Sequence, residues 1–103
     1  MKKRIKLDPV HPGEVLSQEF LQPLEMTQAS LAHQIGVPTS QLSRVVRGKQ
    51  AVTASLALRL ARFFGTTPQF WLGLQMHYDL DIAQDQMSDR INREVRRHSV
   101  SAH

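Results

Sequence analysis

Between Thr27 and Lys49 the chain reads TQASLAHQIGVPTSQLSRVVRGK, two helical periods joined by a few residues that cannot continue either one. Leu31, Ala32 and Ile35 recur at helical spacing, and Gly36 follows the last of them. After Val37 and Pro38 the period restarts with Leu42, Val45 and Val46, and Gly48 stops it again. A glycine just past a periodic run lets the backbone enter the left-handed region that closes a helix. Thr27 stands one residue before the first run, where its hydroxyl accepts from an otherwise orphan amide. Ser30 occupies the position where a full capping box has Glu or Gln, so that box is half present. The spacing predicts two short helices and a tight turn.

The second helix carries the chemistry. At 100° per residue Leu42, Val45 and Val46 share one face, and Ser40, Arg44 and Arg47 share the opposite one, with Ser43 beside them. Thr39 and Gln41 lie in its first turn. Hydroxyls, an amide and guanidiniums on one face are groups that read base edges or phosphate. A solvated face on an ordinary helical hairpin has the same composition, so charge has to decide. From Thr27 to Gly65 the chain has Arg44, Arg47, Lys49, Arg59 and Arg62 and no Asp or Glu. The whole protein carries a net charge of only +4. Carboxylates are absent from the segment that would approach phosphate, the electrostatic footprint of a DNA-binding helix-turn-helix.

The rest of the chain builds a domain around this pair. Its 103 residues suit one domain with a core of its own. There is no cysteine, which excludes disulfides, thiolate metal sites and a thiol nucleophile. No apolar run reaches the length of a membrane span, and no signal peptide is visible, so a soluble cytoplasmic protein is expected. Residues 1–9, with Lys2, Lys3, Arg4 and Lys6, read as a flexible basic arm. The first helix opens at His11-Pro12-Gly13-Glu14, turns Val15, Leu16 and Phe20 inward, and ends before Pro23. A fourth helix runs from Ala54 to Phe64 with Thr53 as its cap, Leu56, Ala57, Leu60, Ala61 and Phe64 inward, and Arg59 and Arg62 on the outer side. A fifth runs from Pro68 to about Met87, capped by Thr67.

That fifth helix has two apolar stripes. Trp71, Leu74, Tyr78 and Ile82 form one; Leu72, Met76, Leu80, Ala83 and Met87 form the other. A domain this small rarely covers both, so the second stripe is expected to pack on another copy. Residues 10–87 then form the folded unit, and 88–103 a polar basic tail whose order the sequence leaves open. Five histidines are scattered, and no two of them share a helix face with a carboxylate at ligand spacing. Neither a glycine-framed nucleophile nor a phosphate-cradling glycine loop is present. No catalytic activity, cofactor or metal is expected.

The helix-turn-helix from Thr27 to Lys49 resembles the Cro/C1 type of phage repressors. The opening HPGE, the block GKQAVTASLALRLARFFGTTPQFWLGLQ and the YDL after it are similar to the HigA group of antitoxins, over about Val10 to Leu80. The resemblance implies an all-α, compact five-helix, lambda-repressor-like DNA-binding domain with an extended C-terminal helix. It implies a homodimer that binds an inverted repeat in double-stranded operator DNA, represses its own operon and neutralises a HigB-type, RelE-like mRNA endonuclease. By the same resemblance Gln28 falls where such repressors contact phosphate, Thr39, Ser40 and Arg44 at base-reading positions, and Lys49 against the backbone. Pro38 departs from the pattern, because it stands where a hydroxyl cap is common and has no N–H. A stand-alone repressor of the same fold is the alternative, and a short basic reading frame immediately upstream would distinguish the two. A helical protein-interaction module that never touches DNA fits the carboxylate-free segment less well.

Overall fold

The order of helices follows from caps and stops that lie where the sequence puts them. In a computed structural model, residues 9–99 are described; the arm lysines and Arg4, and residues 100–103, lie outside the described residues. Helix α1, Pro12–Val15, passes without a break into a π-helical segment, Leu16–Leu21. Helices α2 (Gln28–Ile35), α3 (Thr39–Val46), α4 (Ala54–Phe64) and α5 (Pro68–Glu94) follow, and no strand occurs among the described residues. Thr27, Thr53 and Thr67 each cap a helix, their hydroxyls accepting from the amides of Ser30, Leu56 and Phe70 at 3.0, 3.2 and 3.1 Å.

The first helix differs from its sequence reading in two ways. Its cap is His11, whose Nδ1 accepts from the Gly13 amide at 2.9 Å. Its second half is π-helical, with the Gln22 amide bonded to the Ser17 carbonyl at 2.9 Å. The wider turn brings Leu16 and Leu21, five residues apart, both into the core, while Val15 stays half-exposed. Gly13 explains how close this helix comes to the reading pair. A β-carbon there would collide with the Val45 carbonyl, so α1 packs backbone to backbone on α3.

Leu16, Leu31, Leu42, Val45, Leu56, Leu60 and Trp71 are the heart of the core. Phe20 packs at a tilt against both Phe64 and Trp71, with ring centres 4.8 and 5.1 Å apart. The Trp71 indole N–H donates to the Thr66 hydroxyl at 2.8 Å, which satisfies its only donor. Helix α5 runs seven residues beyond the expected Met87, and an exposed Arg90–Glu94 pair at 3.0 Å spans the last turn. Every residue from Gln84 to Glu94 is exposed, so this half of α5 projects from the body and stretches the molecule to 56 Å.

One polar residue belongs to the core-facing side of α5. Gln75 is buried, accepts from the Val52 amide at 2.8 Å and donates to Asp79 at 2.9 Å. It fastens the α3–α4 loop to the long helix. Replacing Gln75 by Leu strands the Val52 N–H without an acceptor and is expected to cost about 1–3 kcal/mol. Gln75→Glu keeps an acceptor and should cost less; equal thermal shifts for the two variants would refute this role for the amide oxygen.

Candidate nucleic-acid interface

Helix α3 presents its polar side to solvent as the spacing predicts. Leu42 and Val45 are buried, Val46 packs partly against the core, and Thr39, Ser40, Arg44 and Arg47 are exposed. Gln41 and Ser43 are half-buried beside them, Gln28 is half-buried at the start of α2, and Lys49 is exposed just past α3. Pro38 begins α3 with no side-chain cap, in line with the missing hydroxyl. The helix ends in a Schellman turn: Gly48 is left-handed at φ 74°, its amide bonds the Val45 carbonyl at 3.0 Å, and the Lys49 amide bonds the Arg44 carbonyl at 2.8 Å. Lys49 is thereby held at the foot of the reading face.

The side chains on this face are partly pre-set. Arg44 Nε donates to Gln50 Oε1 at 2.8 Å, and Arg47 Nε donates back to the Ser43 carbonyl at 3.3 Å. Both keep their terminal nitrogens for another partner. Arg59 plays a different part, donating to the Ile35 carbonyl at 2.8 Å and so satisfying the C-terminus of α2 from α4. With Arg62 it rims a cleft of about 320 Å³ floored by Ile35, Leu58 and Phe63, away from the polar side of α3. The carboxylate-free segment therefore holds two groups of cations. Arg44, Arg47 and Lys49 lie on or just past the exposed polar side of α3, whereas Arg59 secures the fold and Arg62 lines the cleft beside it.

Behind the face lies His11. Its ring meets Tyr78 edge-on at 4.8 Å and lies against Gly48. Burial pushes its pKa below the ordinary 6.5, against the opposing influences of Asp79 and the Gln50 backbone. Nδ1 must be unprotonated to cap Gly13, so the neutral ring is the form that fits.

Comparison with known proteins decides what this arrangement is. A helix-turn-helix family profile matches residues 18–71. Antitoxin HigA-1 of Vibrio cholerae is 40% identical over 78 residues, covering 76% of this chain and 73% of its own length. An addiction-module antidote protein of the HigA family from Coxiella burnetii superimposes with a TM-score of 0.85 at 40% identity, over 89% of this chain and 100% of that one. This chain is a HigA-type member of the Cro/C1 helix-turn-helix family. The antitoxin HigA of Pseudomonas aeruginosa, solved with the higBA promoter, is also similar, with a TM-score of 0.83 at 36% identity over 85% of this chain and 96% of that one. Among the described residues no helix is long and apolar enough to cross a membrane.

Of the polar residues picked out by spacing, Ser40, Arg44 and Arg47 are exposed on one side of α3, with Ser43 half-buried beside them. Three contributors escaped the sequence reading. Gln50 meets Arg44 and Gln75 meets Val52 through side-chain hydrogen bonds between residues that no helical period relates, for which a lone sequence carries no signal. His11 stood in the opening turn, where an imidazole accepting from the residue two ahead was a readable capping option.

The buried imidazole yields a pH prediction. A histidine whose folded pKa lies below its unfolded value contributes full stability above 6.5, where both states are neutral. As pH falls from 6.5 through the depressed folded pKa, the unfolded chain protonates first and stability drops, by at most about 1.4 kcal/mol per pH unit. His11→Asn retains a capping side chain and should flatten that part of the stability curve. Chemical denaturation measured across this window tests it; an unchanged slope in the variant would assign the effect elsewhere.

Proposed function

We propose that this protein is the antitoxin of a type II toxin–antitoxin module: it binds operator DNA as a homodimer, represses its own operon and neutralises a HigB-like, RelE-related mRNA endonuclease. The observation that carries the DNA part is the exposed row Thr39, Ser40, Arg44 and Arg47 on a helix whose other side is core, with Lys49 at its foot and no Asp or Glu from Thr27 to Gly65. Thr39, Ser40, Gln41, Ser43 and Arg44 face base edges in this reading, and Gln28, Arg47 and Lys49 meet phosphate. The Pseudomonas relative bound to its promoter supports the assignment. Toxin neutralisation rests on the antitoxin relatives.

The dimer reading rests on α5. Met76 and Leu80 are about half-exposed, and Met87, Ile91 and Val95 continue the apolar row beyond them. Ala83 is half-buried in the same row, whereas Leu72, at its start, packs partly on its own core. The row repeats every eleven residues, Leu72 to Ala83, Met76 to Met87 and Leu80 to Ile91, so it runs nearly straight along the helix. Gly73 lies beside its start, and a β-carbon there would meet nothing within 4 Å. A glycine inside a helix costs about 1 kcal/mol relative to alanine. Its own fold does not require that cost, and a closely approaching partner helix would account for it. The exposed turns after Gln84 likewise lack the packing that sustains a helix end. Two reading heads joined through this row would address half-sites about 10 base pairs apart.

Met76→Glu with Leu80→Lys should give folded monomers that bind an operator far more weakly than wild type. Light scattering at micromolar concentration, paired with footprinting, tests this; a wild-type monomer that still protects two half-sites would mean that DNA alone assembles the pair. For the toxin, expression of the adjacent short reading frame should arrest growth, and co-expression with this chain should relieve the arrest. Growth arrest that persists with this chain present would leave the stand-alone repressor as the correct reading.

A further inference from the structure

Arg44, exposed in the middle of the reading face, is not free to search for its partner. Its Nε–H is taken by Gln50 Oε1 at 2.8 Å. That acceptor stands on a fixed mount. The Lys49 amide closes the turn on the Arg44 carbonyl, the His11 ring lies against Gly48, and Gln75 holds the Val52 amide two residues on. Gln50 itself is half-buried.

A guanidinium is a rigid planar fork of five N–H donors. With Nε occupied, the edge formed by Nε and one terminal nitrogen is closed, and the end bearing both terminal amino groups remains. That end matches two acceptors lying side by side in one plane. In the major groove guanine alone offers such a pair, O6 and N7; adenine and cytosine each present a donor, and thymine offers one acceptor beside a methyl group. A phosphate also presents two oxygens, so the test has to separate base from backbone.

We infer that Gln50 is a positioning residue for sequence reading: it holds Arg44 end-on, and the base so read is a guanine in the major groove. The inference rests on α3 being the DNA-reading helix. Gln50 needs no contact with DNA itself, because its contribution is the direction it gives Arg44 before the duplex arrives. A side chain ordered in advance loses less freedom on binding, and discrimination between bases gains accordingly.

The experiment uses the full chain and a duplex selected by it from a random-sequence pool, with affinities from fluorescence anisotropy. Each guanine of the selected half-site is replaced singly by 7-deazaguanine, which removes N7 and leaves the Watson–Crick edge intact. One position should weaken wild-type binding by about 5- to 50-fold, the range expected for spoiling a bidentate contact. Arg44→Ala should lose that sensitivity. Gln50→Ala should lose most of it with an unchanged thermal midpoint, and Gln50→Glu, which keeps an acceptor for Nε, should retain it. In an Arg44→Ala background, Gln50→Ala should change discrimination no further. Lys49→Ala serves as the backbone control, lowering affinity for selected and random duplexes alike and reducing the salt slope by about 1.

Three results would overturn the inference while leaving DNA binding in place. If no 7-deazaguanine penalty depends on Arg44, the guanidinium lies on phosphate. If Gln50→Ala leaves the penalty whole, the duplex alone orients Arg44. If Gln50→Ala still costs discrimination without Arg44, Gln50 reads a base directly. A wild-type chain that selects no sequence at all would instead sink the DNA-binding reading, and this one with it.

Discussion

The loop from Arg47 to Val52 is short, and it is tied from three sides. Gly48 takes a left-handed conformation that lets the chain turn sharply away from α3, with the Lys49 amide bonded back to the Arg44 carbonyl. His11 lies against that turn from the N-terminal side. Gln75 reaches it from α5 and accepts the Val52 amide. A buried polar group without a partner costs more than a hydrogen bond returns, so the loop tolerates few other arrangements. Its position fixes the direction in which α3 leaves the core, and hence the whole reading face.

The same loop connects the two ends of the molecule to its centre. Helix α1 reaches α3 backbone to backbone at Gly13, and α5 reaches the loop through Gln75 and touches His11 through Tyr78. These contacts are a close backbone approach, a hydrogen bond and one ring contact. Their force is geometric: each fixes one element relative to another at hydrogen-bond precision, while Trp71 and the leucines supply the hydrophobic stabilisation. The reading helix is therefore positioned by polar side chains and stabilised by apolar ones, and different residues carry the two roles.

The distribution of charge follows the same division. Arg59, drawn from the carboxylate-free segment, commits one N–H to the Ile35 carbonyl and helps to hold α2 against α4. Arg44, Arg47 and Lys49 keep donors directed outward. A tally of positive charge along the sequence treats these residues alike, and only their hydrogen-bond partners tell them apart. The apolar row on α5 is the other feature that the domain leaves open, since it extends well beyond the part of the helix that the core covers.

The order of the helices, the threonine caps and the two faces of α3 were legible in the order of residues. They depend on interactions between residues three or four apart, and Thr27, Thr53, Thr67 and the left-handed Gly36, Gly48 and Gly65 act within one turn. The second stripe of α5 was legible too, because an apolar period is visible whether or not anything covers it. Folding in three dimensions was needed to define the π-helical widening that buries Leu21 and the full reach of α5 to Glu94. It was needed equally for the pairings of Gln50 with Arg44, Gln75 with Val52 and Arg59 with Ile35. The first depends on how surrounding packing offsets a locally unfavourable turn, and the second on an exposed helix end that no apolar contact of this domain marks. The pairings depend on directions in space between residues that no helical period relates, and a hydrogen bond is as sensitive to direction as to distance.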